Sequence, residues 1–223
     1  MNLEQLIAQF RVDSEDKIAS AYLFSDESIT QWLNEAVEEA CIRSLLLKDF
    51  STPAVCTIDV TAGVPTYTPH ASIINITRAE FTADGETEGV ELYQTDEYEI
   101  DRTRPGWRKM AETPRDFIHH DTVIRLGCLP PAGTLSLEVN RLPLTPMAAD
   151  ADEPEIAAIH HRKLVHWALF RAFSVPDSET IDPNRAALAD AAFTKAFGHS
   201  LDATTRRGHE AMRPHHNIAC WMG

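Results

Sequence analysis

Ser25-Asp26-Glu27-Ser28-Ile29-Thr30-Gln31-Trp32-Leu33-Asn34-Glu35-Ala36-Val37-Glu38-Glu39-Ala40-Cys41 is the stretch whose reading decides the fold. Ser25 is a capping residue, and Asp26 and Glu27 are the first-turn acids that suit the positive end of a helix dipole. Ile29, Trp32, Leu33, Ala36, Val37, Ala40 and Cys41 then recur at steps of three and four, one apolar stripe of an amphipathic helix running to about Lys48. Glu35, Glu38 and Glu39 form its wet face. Such a stripe has to be covered by something, and the rest of the chain must supply the cover.

Upstream, Leu3 to Phe10 reads as a short helix. Downstream, from Pro53 to Pro146, the period changes to two. Val55-Cys56-Thr57-Ile58-Asp59-Val60 alternates and Thr61-Ala62-Gly63 is a turn; Tyr67 and Ile73–Phe81 extend the strand signal. Asp84-Gly85-Glu86 closes a hairpin into Val90–Tyr93. Thr95–Tyr98 reads as a single capped helical turn, followed later by strands at Val123–Leu126 and Leu135–Leu142. Ten of the thirteen prolines fall between Pro53 and Pro154, where the loops of a β region need them. Helix returns at Asp152-Glu153-Pro154-Glu155, a capping residue with an early proline. Ile156, Ile159, Leu164, Trp167, Ala168, Phe170 and Phe173 make that helix apolar most of the way round, hence central. Asp182-Pro183 caps a last, alanine-rich helix carrying Ala186, Ala189, Phe193 and Phe197, with Gly198 as its stop.

The expectation is an α+β fold, a helical bundle formed by the N- and C-terminal helices with an inserted antiparallel β domain. Residues 1–50 and 151–198 supply the bundle, residues 51–150 the β domain, and residues 199–223 a tail that docks on a partner.

The chain has 223 residues with 20 Lys+Arg against 34 Asp+Glu, a formal charge of −14. A pI near 5.1 is wrong for gripping phosphates by bulk charge, so nucleic-acid and anionic-membrane binders are excluded. No apolar run is long enough to span a bilayer and the start is not a secretion signal. Cys41, Cys56, Cys128 and Cys220 are widely spaced, without the pairing of a zinc knuckle or redox motif, and read as reduced, buried thiols. Residues 1–50 hold 4 basic and 10 acidic side chains, residues 51–150 hold 8 and 15, and residues 151–223 hold 8 and 9. The acidity belongs to the first two thirds.

No catalytic, cofactor or metal site emerges. His161 and His166 are five apart and so do not share a helix face as a ligand pair would; the expectation is that the His160, His161 and His166 group hydrogen-bonds across a helix seam. His119-His120 reads as part of a histidine-rich loop. Ser14-Glu15-Asp16-Lys17 fits a common four-letter pattern without its partner motifs. The basic residues gather once, as Arg102, Arg104, Arg108, Lys109 and Arg115 around Pro105-Gly106-Trp107. Tryptophan supplies contact area and arginines fork onto carboxylates, so Arg104, Trp107 and Arg108 are expected at a protein interface, with a stacked structural loop as the other reading. In the tail, Arg206, Arg207, Arg213, Ile218 and Trp221 combine cations with apolar groups that have no core of their own, and they are expected to dock on a partner.

The run Leu23-Phe24-Ser25-Asp26 through Trp32-Leu33-Asn34-Glu35-Ala36 resembles the first long helix of bacteriophage head-to-tail adaptor (connector) proteins. Asp152-x-Pro154-Glu155-Ile156 through His160-His161-Arg162-x-Leu164-Val165-x-Trp167-Ala168-Leu169 resembles their returning helix, and Asp182-Pro183 to Gly198 continues it. The resemblance implies a non-enzymatic virion protein at the head-tail junction, assembled in the host cytoplasm. It implies a ring, typically of twelve copies, that meets the portal protein on one side and tail or nozzle proteins on the other. DNA would pass through without specific binding, and an acidic lining agrees with that. The competing reading is a small-ligand or carbohydrate-binding β module on a helical scaffold, with Tyr67, Tyr93, Tyr98 or Trp107 lining its pocket. A histidine-dependent metallohydrolase is the third.

Overall fold

The computed structural model describes residues 1–18, 22–176 and 180–200. Among them the chain is α+β, with six helices and a curled mixed sheet. Helix α1 (Leu3–Ser14) opens with a reciprocal capping box: the Gln5 N–H donates to Asn2 Oδ1 (3.0 Å) and the Asn2 N–H to Gln5 Oε1 (3.2 Å). Helix α2 (Asp26–Ser44) begins where the sequence places it, with the Ser28 N–H donating to Ser25 Oγ at 3.2 Å. It stops at Ser44, three to four residues earlier than the periodicity suggests. Leu45 there takes a left-handed conformation (φ 49°) and its N–H closes on the Cys41 carbonyl.

The chain divides into two compact units. The first comprises Met1–Ser51, Ser72–Ile74 and Val139–Ser200. It holds α1, α2, α5 (Ala158–Ser174) and α6 (Pro183–Phe197), with α5 packed against each of the other three. That agrees with an α5 that is apolar nearly all round: Leu164, Val165, Ala168 and Ala172 are fully buried. Phe24, just ahead of the Ser25 cap, meets Phe10 of α1 (5.6 Å between centroids), Trp32 of α2 (5.7 Å) and Phe173 of α5 (6.5 Å), each edge-on. Burying each such ring stabilises the fold by roughly 1.5–3 kcal/mol, with a further increment from edge-to-face geometry.

Helix α5 starts at Ala158, later than the Asp152-Glu153-Pro154-Glu155 signal predicts, and Ala157 offers no side-chain cap. The cap-like residues serve the preceding turn instead. Asp152 Oδ2 accepts from the Ala148 and Ala149 N–H groups at 2.8 Å each, and those donors hold its carboxyl below the usual range. Glu155 is drawn onto Arg141 (2.5 Å) and the Leu144 N–H (3.0 Å).

The second unit comprises Thr52–Ala71 and Asn75–Glu138 in its described residues. Helix α3 (Pro53–Cys56) takes up Val55 and Cys56, which the alternation assigned to a strand; strand β2 is only Thr57–Val60. Over the whole chain the remaining strands are β1 (Lys48–Asp49, in the first unit), β3 (Thr66–Tyr67), β4 (Ile73–Ala83), β5 (Val90–Gln94), β6 (Asp116–His120), β7 (Val123–Leu126) and β8 (Gly133–Arg141). Their order is β1-β8-β4-β5-β6-β7-β3, with β2 also on β8. The expected antiparallel sheet is corrected at one pairing, because β5 and β6 run parallel, Tyr93 opposite Asp116 and Gln94 opposite Phe117. Residues 95–115 make the reason plain. They form a crossover containing α4 (Glu97–Thr103), long enough to return the chain in the same direction. His119 and His120, expected in a loop, belong to β6.

Candidate functional site

The basic cluster lies inside the crossover of the second unit. Asp96 caps α4 by accepting from the Glu99 N–H at 2.7 Å, and Gly106, at φ 84°, turns the chain into a 3-10 turn, Trp107–Lys109. Trp107 is 1% exposed and packs with Ile100 and Ile118, the arrangement of a stacked structural loop. Its Nε1–H donates to Asp101 Oδ1 at 2.7 Å. The Arg108 and Arg125 guanidinium groups stack on the ring at 4.4 and 4.8 Å from its centroid. Arg108 bonds the same Asp101 carboxylate, and the Arg108 and Trp107 donors keep that carboxyl below its ordinary range. Arg104 is bound by Glu112 and by Asp116 (3.2 Å). The structure therefore brings Arg104, Trp107 and Arg108 together, but as an internal pin with its cations matched by local acids. Arg125 was invisible to sequence reasoning because it arrives from β7.

Arg206, Arg207, Arg213, Ile218 and Trp221 lie outside the described residues. The tyrosines of the ligand-module reading do not act together. The Tyr67 hydroxyl donates to the Val64 carbonyl at 2.7 Å as a loop brace, whereas Tyr93 and Tyr98 are exposed. Trp107 has no open face to offer a ligand.

In the first unit, two arginine centres escaped the sequence reading. Arg11 donates to Asp16 (2.9 Å), Asp26 (2.5 Å) and the Phe24 carbonyl (3.2 Å), closing the turn between α1 and α2. Arg141 donates to Asp49 (2.6 Å), Glu155 (2.5 Å) and the Leu142 carbonyl (3.0 Å). These side chains hold backbone in place. Beside Glu155, a shallow cleft of about 90 Å³ is lined by Asn34, Val37, Glu38, Met147 and three prolines. Asn34 seals one end by a reciprocal pair of bonds to Met147, 3.0 and 2.9 Å.

His161 is 2% exposed and serves a seam as expected. Its Nε2 faces the Ile156 carbonyl at 2.9 Å and therefore donates, which leaves Nδ1 to accept from the Met1 ammonium at 2.8 Å. Burial pushes the His160 and His166 pKa values down from the ordinary 6.5. Those imidazoles are neutral in the fold, so stability is complete above about pH 6.5 and falls as acid charges them. The Glu155 carboxyl is held below its usual 4.5 by Arg141, a contribution lost at lower pH still. The melting temperature is therefore expected to decline from pH 7 to 5 and again below about 4.5. His166→Gln should flatten the first decline; an unchanged profile in that variant would refute the assignment. Burial also raises the Cys41 thiol to about 12 and Cys128 to about 11, so both stay protonated and unreactive at neutral pH.

Among the described residues no group of three or more His, Cys, Asp or Glu is placed to hold a metal ion, and no helix is long and apolar enough to cross a membrane. A search of curated proteins returns no match. A family model described as SU10 adaptor protein matches residues 1–216.

Proposed function

The chain belongs to the SU10 adaptor protein family of phage structural adaptors, and from that premise we propose that it forms a ring beneath the portal, extends the DNA channel and carries the tail. The observation that carries the reading is the extent of the match, which takes in both helical regions, the β region and most of the tail. Charge distribution supports it. The 10 acidic and 4 basic side chains of residues 1–50, with the 15 and 8 of residues 51–150, suit surfaces that passing DNA should not stick to. The tail, through Arg206, Arg207, Arg213, Ile218 and Trp221, docks on the portal or on a tail or nozzle protein.

Negative-stain microscopy of the protein mixed with an isolated portal ring should show added ring density on the portal. Bare portal rings at saturating protein would end the proposal. A chain truncated after Ser200 should keep the melting temperature of the full chain and lose capture by the portal in a pull-down. Undiminished capture would remove the tail from the docking surface.

A further inference from the structure

Two exposed patches of the first unit are unlike each other in charge and alike in form. On α1, the face opposite the buried Leu3, Leu6 and Phe10 carries the exposed Glu4, Ala8 and Val12, with Val12 at 54%, and the exposed Glu15 follows in the left-handed turn that ends the helix. The spacing of four and four puts Glu4, Ala8 and Val12 in one line along the helix, with Glu15 just past its end. It is an apolar strip with a carboxylate at each end. At the start of α5, Ile159 is 76% exposed and is followed at three and four residues by Arg162 and Lys163 on the same face. That is an apolar knob with two cations beside it. Among the described residues Glu4, Glu15, Arg162 and Lys163 form no ion pair, whereas Arg11, Arg43, Arg141 and Arg171 of this unit all do.

We propose that the α1 strip of one copy binds the α5 patch of a second copy of this chain. Charge selects the occupant. The strip cannot pair with itself without opposing glutamates, nor the patch without opposing cations, yet each complements the other in apolar centre and charged margin. Every copy carries both halves, so no further partner is needed. Ile159 and Val12 bury against each other while Arg162 and Lys163 meet Glu4 or Glu15. Because the ion pairs are at a surface, the contact is sensitive to salt. This rests on the ring reading above and names the surfaces through which copies would join.

Sedimentation of the wild-type chain should show self-association at low salt that weakens on the order of tenfold at high salt. Glu4→Lys with Glu15→Lys, and separately Arg162→Glu with Lys163→Glu, should each weaken association by at least about tenfold, since two reversed pairs are involved. An equimolar mixture of the two variants should recover it, because every contact between unlike chains is again complementary. Glu4, Glu15 and Arg162 are exposed and Lys163 is partly so, and unchanged melting temperatures verify that both variants fold. Wild-type chain that stays monomeric throughout, variants that associate like wild type, or a mixture that stays apart would each overturn the contact. Charge-reversed variants that still form rings on the portal would remove this surface and leave the adaptor reading standing. Bare portal with wild-type chain strikes that reading itself.

Discussion

Replacing Arg141 with alanine is expected to destabilise the first unit by about 3 kcal/mol, because it takes the guanidinium from an acid that the fold has removed from water. Asp49 is buried, and Arg141 donates to it at 2.6 Å from 92 residues away in the chain. The same guanidinium holds Glu155 at 2.5 Å and the Leu142 carbonyl at 3.0 Å, so β1, β8 and the approach to α5 meet on one side chain. Glu155 is half-exposed and can be resolvated when its partner is removed, which places the loss at the lower end of the range for broken buried pairs. Urea unfolding followed by far-UV circular dichroism measures it. Arg141→Ala with Asp49→Asn should recover part of the loss, since the buried charge is gone. Additive losses in the double variant would show that the two side chains do not act as a pair.

Trp107→Ala is expected to cost about 3–5 kcal/mol in the second unit, the range for deleting a fully buried aromatic side chain. The void would lie between Ile100 and Ile118, with Arg108 and Arg125 left without the ring they stack on. Trp107→Phe keeps most of the volume and loses the donor to Asp101, so it should cost less than half as much. Denaturant titration followed by circular dichroism measures the loss. A Trp107→Ala chain as stable as wild type would contradict the burial of the ring.

These two residues also mark how far the sequence could be read. Trp107 amid arginines has the composition of a protein contact, and composition does not distinguish a cation that reaches outward from one that folds back. What distinguishes them is the identity of the neighbours. Asp101 is six residues before Trp107, and Glu112, Asp116 and Arg125 lie beyond the turn, so the pin exists only once α4, β6 and β7 are assembled. Arg141 shares by alternation the inward face of Leu135, Leu137 and Val139, a register that does not name the acids it will meet. Asp16, in the acidic stretch Ser14–Lys17, gives no sign that it will accept from Arg11 and from the Leu23 and Phe24 N–H groups. The 152–155 signal is a different case. The capping residues are present and do bond to backbone N–H groups, but to those of the turn before the helix.

By itself the sequence determined the type of the long helices, the Ser25 and Asp182 caps, the amphipathic face of α2 and the central place of α5. It also carried the family, through helical patterns near both ends of the matched region. All of these depend on interactions within about four residues, where helix geometry alone dictates which side chains meet. Tertiary structure decided the parallel pairing of β5 with β6, the late start of α5, and which charged residues are spent inside the fold and which remain outside. Those outcomes depend on partners tens of residues apart, brought together only when the chain closes, and no local spacing records them.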